Sequence, residues 1–298
     1  MRVVIAGASG LIGRQLAPAL RAAGLDVRRL VRRVASGPDE IAWDPVRGRL
    51  DAQALAGTDG VINLAGRSLL GRWTAGVKAD IVNSRVQATR LLVDAIAGMP
   101  ARPTVLVSTS AVGYYGHRGD EVLTETSSAG TGFLAELTKV WEGEARRAVD
   151  LGVRVVCPRL GLVLARNGGA LGPMIPLFRV GLGGPIGTGR HWWSWIHIDD
   201  VVAAIEAALT TSSLVGPVNV VGPAPVRNRE FARTLGSVLR RPAILPAPAF
   251  AVRFVLGEVA DEMILSSQRV LPARLQAQGF VFRWQELSAA LENLTTSS

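Results

Sequence analysis

The chain is poor in cysteine, in histidine and in aromatic residues. Cys157 is its single cysteine among 298 residues, which excludes an internal disulfide and fits a reducing compartment. It follows Val153, Val155 and Val156 and precedes Pro158, the setting of a small buried residue rather than a nucleophile. The histidines, at 117, 191 and 197, have no metal-ligand spacing, so no metal is expected. No apolar run approaches the ~18 residues that a membrane helix needs. The first residues read as a strand and not as a cleavable leader. The expected location is therefore cytoplasmic, with no membrane partner. Acid is scarcer than base: 24 Asp and Glu against 33 Lys and Arg leave a net charge of +9. The arginines are scattered and form no single run, so nucleic acid is not an expected partner. The charge reads as a solvated surface with a modest pull on anionic ligands.

Glycine is abundant, and its placement is informative. A short run, Arg2-Val3-Val4-Ile5-Ala6, is followed by Gly7, Gly10 and Gly13. The next residues read as a helix that Gly24 ends. A buried strand, a glycine turn and a helix N-terminus make a phosphate cradle. The turn admits unusual backbone angles and close approach, and the helix offers free N–H groups and its positive dipole end. The spacing is G-x-x-G-x-x-G, not the G-x-G-x-x-G of many dehydrogenases. A plain strand-to-helix turn is the alternative reading.

Beyond this point strand-like and helix-like runs alternate. Strands are expected at 3–6, 27–31, 60–64, 104–108, 153–159 and 217–221. Helices are expected at 14–23, 78–97, 132–150 and 200–209. Such alternation predicts an α/β fold, a Rossmann-like doubly wound parallel sheet with right-handed crossovers. Residues 168–189 are rich in Gly and Pro and read as loops over a cleft. A Pro-rich joint at 242–248 suggests a division into a dinucleotide-binding body, 1–247, and a small C-terminal unit, 248–298, helical near 250–265.

The end of the second strand carries Arg32 and Arg33, where an NAD site usually places an acid for the ribose hydroxyls. A guanidinium matches a phosphate, so the pair suggests NADP, held through its 2′-phosphate. Ordinary solvated arginines are the alternative. Asn63-Leu64-Ala65-Gly66 and Ser108-Thr109-Ser110 end two further strands, where parallel sheets bind ligands.

Taken in order, Gly7-x-x-Gly10-x-x-Gly13, Asn63-Leu64-Ala65-Gly66, Ser108-Thr109-Ser110, Pro158-Arg159-Leu160-Gly161 and His197-Ile198-Asp199-Asp200 resemble a known family. This is the extended short-chain dehydrogenase/reductase family of the NAD(P)-dependent epimerase/dehydratase type. Arg72-Trp73-Thr74, Ser84-Arg85, Ser110 to Gly116, Trp141-Glu142 and Trp195-Ile196-His197 narrow the likeness to an atypical, sugar-nucleotide-epimerase-like subgroup. That subgroup has a C-terminal domain of unknown function, matched here by Gln268-Arg269-Val270-x-Pro272-x-x-Leu275 and Gly279-Phe280-x-Phe282. The resemblance implies NADP contacts at Gly7, Ser9, Gly10, Leu11, Ile12, Gly13, Arg32, Arg33, Asn63, Ala65, Gly66, Ser108, Thr109, Pro158 and Arg159. It implies a small-molecule substrate and leaves oligomeric state open.

One departure matters for chemistry. The family places Tyr-x-x-x-Lys on the helix after the Ser motif, the phenol as acid/base and the lysine as its activator. Here that helix pairs Ala135 with Lys139, or Leu134 with Thr138, and neither Ala nor Leu moves a proton. Ser110 matches the family's Ser/Thr, and Tyr114 is the nearest phenol, so these are the catalytic candidates; packing beside the cofactor is the alternative for Tyr114. Lys139 reads as a surface residue. Trp193 stands near the place of a diphosphate-gripping Arg, with Arg190 and His197 beside it as candidate substrate contacts. The tryptophans read equally well as core, and His197 as a structural residue. Asp200 reads as an N-cap. Two functions stay open: an NADP-dependent oxidoreductase or epimerase, and a non-catalytic NADP-binding module with a structural or redox-sensing role.

Overall fold

The structure is a computed structural model and describes residues 1–166 and 168–296. Its centre is a parallel sheet. Strand β1 (Arg2–Ala6) is flanked by β2 (Asp26–Val31) on one side and β4 (Gly60–Asn63) on the other; β3 (Glu40–Ala42) lies outside β2, and β5 (Val105–Ser108) outside β4. The Arg154–Leu160 strand pairs with β5, and the Gly216–Val220 strand closes that edge. Every one of these pairings is parallel.

The burial pattern explains the layers. Val3 and Ile5 face one side of the sheet and pack with Val105, Val107 and Val156 against helices α1 (Gly13–Ala22) and α5 (Ile198–Thr210). Val4 and Ala6 face the other and pack with Val61, Leu106 and Val155 against α2 (Ala75–Ala97), while Ala145 of α3 (Phe133–Arg146) joins them. A strand buried on both faces reads as a continuous apolar run, which is why the β1 sequence shows no polar alternation. The chain winds outward from β1 to β3 and then crosses to β4. That reversal leaves a crevice between the carboxyl ends of β1 and β4.

The segment read as loops, 168–189, contains helix α4 (Leu171–Arg179). Leu171, Met174, Ile175 and Phe178 recur at helical spacing, and Leu171 and Phe178 are buried. Packing of that face outweighs Pro176 inside the helix. Strand β3 was not foreseen; it has only three residues and sits at the sheet edge. Helix α6 (Asn228–Leu239) was also not foreseen, though Phe231, Ala232 and Leu235 form a helical stripe.

The C-terminal segment is joined to the body at several places. Arg269–Val270 pairs with Val122–Leu123. Leu275, Phe282, Leu287 and Leu291 share the core of the α1 face. Glu262 accepts hydrogen bonds from the N–H groups of Phe133 and Leu134, both at 3.0 Å, and so caps α3 from outside it. Among the described residues no helix is long and apolar enough to cross a membrane.

Candidate dinucleotide site

The glycine turn after β1 is built by packing. Gly7 has φ +80°, and a Cβ there would stand 2.7 Å from the Leu64 carbonyl group. A Cβ on Gly13 would stand 2.5 Å from the Gly7 oxygen, so α1 lies directly against the turn. Gly10 differs: a Cβ there meets only the Gly7 oxygen, at 3.2 Å. Gly7 and Gly13 are therefore required by the fold, and Gly10 keeps its open side toward the crevice. No side chain caps α1, whose N-cap position is Ile12. The Arg14 and Gln15 N–H groups already bond to the Gly10 and Ile12 carbonyls, both at 3.0 Å, while those of Leu11, Ile12 and Gly13 have no partner among the described residues and remain available to an anion.

This turn forms one wall of a cavity of about 1380 Å³. Ser9 and Gly10 line it, with residues 29–33 at the β2 end and residues 64–68 at the β4 end. Arg14, Arg29, Arg32 and Arg33 all border it. Their freedom is unequal. Arg33 holds Glu40 through two hydrogen bonds, 2.6 and 2.8 Å. Arg29 reaches Asp39 at 3.0 Å and Glu40 at 3.2 Å. The Ser36 N–H, with Arg33 and the Ser36 hydroxyl, holds the Glu40 carboxyl down to about 2. No carboxylate pairs with Arg14 or Arg32 among the described residues. Of the two arginines expected to meet a phosphate, Arg32 is free and Arg33 is committed.

The other expected contacts form the floor. Asn63 is fully buried and accepts from the Ala65 N–H at 3.1 Å, while its amide donates to Thr89 at 2.9 Å and to Ser108 at 3.3 Å. The Thr109 N–H and hydroxyl both donate to the Asn63 carbonyl. These residues fix the strand ends that carry Ala65 and Gly66 into the cavity. Leu11 instead borders a second, smaller cavity of about 430 Å³. Pro158 is buried within its strand, opposite Val218.

Near the ends of β5 and the Arg154–Leu160 strand lies a buried polar network. The Ser110 hydroxyl donates to Glu142 at 2.6 Å. Arg159 grips both Glu142 oxygens, at 2.8 Å each, and donates to the Tyr115 hydroxyl at 3.0 Å. Tyr115 in turn donates to Asn219 at 2.7 Å. The Arg159 guanidinium lies 3.4 Å from the centroid of the half-buried Tyr114 ring. Burial pushes the Tyr115 phenol up, against the opposing pull of Arg159. Ser110 and Tyr114 are thus joined through one ion pair. Arg159, expected at the cofactor, sits inside this network with Glu142.

Helix α3 has no proton-moving pair in either register. Thr138 donates back to the Leu134 carbonyl at 2.8 Å, and Lys139 pairs with Glu136 at 2.5 Å on the exposed face. Glu142 is what the helix contributes. Glu142, Tyr115 and Asn219 were not singled out as site residues. The available signal was a carboxylate on an otherwise apolar helix face and an Asn within the run at 217–221.

The expected substrate contacts are not brought together. Trp193 is buried between His191 and Phe231, and its indole N–H reaches the Ile264 carbonyl at 3.2 Å. Arg190 is exposed. His197 borders the smaller cavity with Arg14 and Arg166, stacks on Trp284 and meets Asn293 at 3.2 Å. Asp200 is not an N-cap, which is a correction. His197 caps α5 by accepting from the Asp199 N–H at 3.1 Å. The Asp200 carboxylate accepts from Arg283 and Trp284 N–H groups, at 2.8 and 3.1 Å, and burial pushes its pKa up. Among the described residues no cluster of His, Cys, Asp and Glu is suited to a metal.

A parallel sheet with this order, a glycine cradle at its switch point and polar strand ends beside it define a Rossmann-like dinucleotide-binding protein. Residues 3–222 match the NAD dependent epimerase/dehydratase family, and residues 247–294 match a domain of unknown function, DUF1731. The chain belongs to that epimerase/dehydratase family. It is 45% identical over 295 residues to an epimerase family protein of Mycobacterium bovis, covering 99% of this chain and 97% of the relative. The human epimerase family protein SDR39U1, isoform 2, solved with NADPH, superposes with a TM-score of 0.91 at 37% identity, covering 99% of both chains. A nucleoside-diphosphate sugar epimerase from Corynebacterium glutamicum gives 0.80 at 35% identity, covering 98% of this chain and 57% of that one.

Proposed function

We propose that the crevice binds NADPH and that the protein acts as a reductase or epimerase on a small, sugar-nucleotide-like substrate. The observation that carries the cofactor reading is the β2 end, where residues 29–33 line the cavity without an acid and Arg32 has no carboxylate partner among the described residues. The human relative solved with NADPH supports it. Gly10 and the first turn of α1 receive the pyrophosphate. Arg32 meets the 2′-phosphate, with Arg14 bordering the same cavity. Ala65 and Gly66 flank the second half of the dinucleotide. When bound, NADPH supplies a hydride. Ser110 and Tyr114 are the groups of this chain assigned to hold the reacting oxygen and to move its proton. The test is calorimetric titration with NADPH and NADH. At least about tenfold tighter NADPH binding is expected from one charge-assisted phosphate contact. Equal affinities refute the reading.

A second reading has its own support. The Ser110 hydroxyl already donates to Glu142, and Lys139 points to solvent. Both favour a module that retains the dinucleotide without turning over a substrate. A crystal structure with NADPH separates the two. A nicotinamide C4 open to a cleft that holds Tyr114 favours the enzyme, and a C4 sealed by side chains favours the module.

A further inference from the structure

Two long stretches of the sequence are free of acid. Residues 168–198 and 231–257 contain no Asp or Glu, yet they carry Arg179, Arg190, Arg233, Arg240, Arg241 and Arg253. Folding brings parts of both stretches together. The segment after α4 runs beside the Pro-rich joint. Ile186 pairs with Ala247, the Ala247 N–H donates to the Pro185 carbonyl at 2.9 Å, and the Arg241 guanidinium donates to the Arg179 carbonyl at 2.9 Å. Directly after the joint comes helix α7 (Ala249–Leu256), which reads AFAVRFVL and has no buried residue.

A helix this apolar normally turns a face into the body and buries it. Here Phe250 is 75% exposed and Phe254 83% exposed, one turn apart on the same side of α7. Val180, Leu182, Ile244 and Val255 are exposed as well. Single exposed apolar residues need no explanation, but a contiguous set marks an interaction surface. Rings this exposed protrude from the surface and do not line a groove. The charge around them has one sign. Arg179, Arg240 and Arg241 are exposed and have no carboxylate partner among the described residues. Arg253 pairs with Asp261 at 2.9 Å. A two-fold contact between copies sets these arginines against one another, which opposes a dimer through this face. Protruding aromatic rings rimmed by guanidinium groups match a layer that is anionic outside and apolar within.

We propose that α7, the joint before it and the end of α4 dock the protein on an anionic lipid surface. Phe250 and Phe254 enter the interface, and Arg179, Arg240 and Arg241 meet the headgroups. The attachment is to the surface: among the described residues no helix is long and apolar enough to cross a membrane. The expectation of no membrane partner rested on the lack of a spanning run, which does not bear on a surface of this kind. Two rings and a few charges give weak, reversible binding that salt reduces.

The test is sedimentation of the full chain with two kinds of vesicle, phosphatidylcholine alone and phosphatidylcholine with about 30% phosphatidylglycerol. Wild type should bind the anionic vesicles at least about tenfold more tightly than the neutral ones, and about 0.5 M salt should release it. The double variant Phe250→Ser with Phe254→Ser should lose at least about tenfold in affinity for the anionic vesicles. So should Arg179→Glu with Arg240→Glu. Both pairs should melt as wild type does, because the replaced side chains are exposed. Phe250→Trp with Phe254→Trp should keep binding, since Trp suits the same interface. Arg49→Glu with Arg146→Glu makes the same change in net charge on other elements and should also keep it. Four results overturn the proposal: no binding to anionic vesicles at low salt, equal affinity for both lipids, full binding by the serine pair, or equal loss in the Arg49 and Arg146 control. A dimer in light scattering that the serine pair dissociates, with no vesicle binding, assigns the face to a second copy and overturns it too.

Discussion

Arg32 and Arg33 are adjacent, carry the same charge and border the same cavity, yet they are not equally free. Replacing each by alanine separates them. A charge-assisted hydrogen bond is worth about 1.5–3 kcal/mol, and about 1.4 kcal/mol is tenfold in affinity. Arg32 is exposed, so the lower end of that range applies. Arg32→Ala should weaken NADPH by about tenfold and leave NADH unchanged. Arg33 cannot turn to a phosphate without uncovering Glu40, whose side chain is 3% exposed. Arg33→Ala should therefore change NADPH affinity by less than about threefold. It should instead lower the melting temperature, because Glu40 loses its bidentate partner.

The same pair sets a pH dependence. The Glu40 pKa is depressed in the folded state, from an ordinary 4.5 to about 2. The folded state thus prefers the ionised carboxylate. Its stabilisation is present above pH 4.5 and is lost as pH falls from there toward about 2. Glu40→Gln should flatten the stability profile in that window. It should also free Arg33 and tighten NADPH at neutral pH. Calorimetric titration of both cofactors with the three variants, and melting curves between pH 7 and pH 2, supply the measurements. A large NADPH loss in Arg33→Ala with none in Arg32→Ala refutes the assignment.

Gly10→Val should keep its far-UV circular dichroism and lose dinucleotide binding, because its Cβ meets little and its side chain enters the crevice. Gly13→Ala should lower the melting temperature clearly, since its Cβ lies 2.5 Å from the Gly7 oxygen. Breaking the buried ion pair with Arg159→Met should destabilise by about 3–5 kcal/mol in chemical denaturation, and adding Glu142→Leu should restore much of it. Once a substrate is in hand, Tyr114→Phe should lower turnover by about 10²–10⁴-fold with cofactor affinity kept, as expected for a positioned acid/base. Lys139→Ala should leave turnover unchanged, because Lys139 pairs with Glu136 on the exposed face.

The sheet was legible because each core strand is a short β-branched run bounded by Gly, Pro or polar residues. Residues 27–31 and 104–108 were expected as strands and lie within one residue of Asp26–Val31 and Val105–Ser108. The cradle was legible for a similar local reason, since Gly7, Gly10 and Gly13 stand close together in sequence, directly after the first strand. What stayed hidden depends on long-range contact. Nothing near Arg33 announces Glu40 as its partner, because β2 and β3 must first pair. Glu142 and Arg159 meet only when α3 packs over the sheet. Helix α4 was masked by its prolines, although its apolar residues already recur at helical spacing.

The network around Ser110 bears on what chemistry the site permits. A serine hydroxyl has one proton to donate, and here it goes to Glu142 at 2.6 Å. Glu142 is in turn held by two hydrogen bonds from Arg159, at 2.8 Å each. The Ser110 oxygen therefore presents only lone pairs elsewhere. A group that meets it in this arrangement is a donor, such as a substrate hydroxyl or a carboxamide N–H, and not a carbonyl. For Ser110 to polarise a carbonyl, Glu142 must first release it, and Arg159 opposes that motion while it lies against Tyr114. The ion pair that stands under Ser110 thus fixes which partner its hydroxyl accepts.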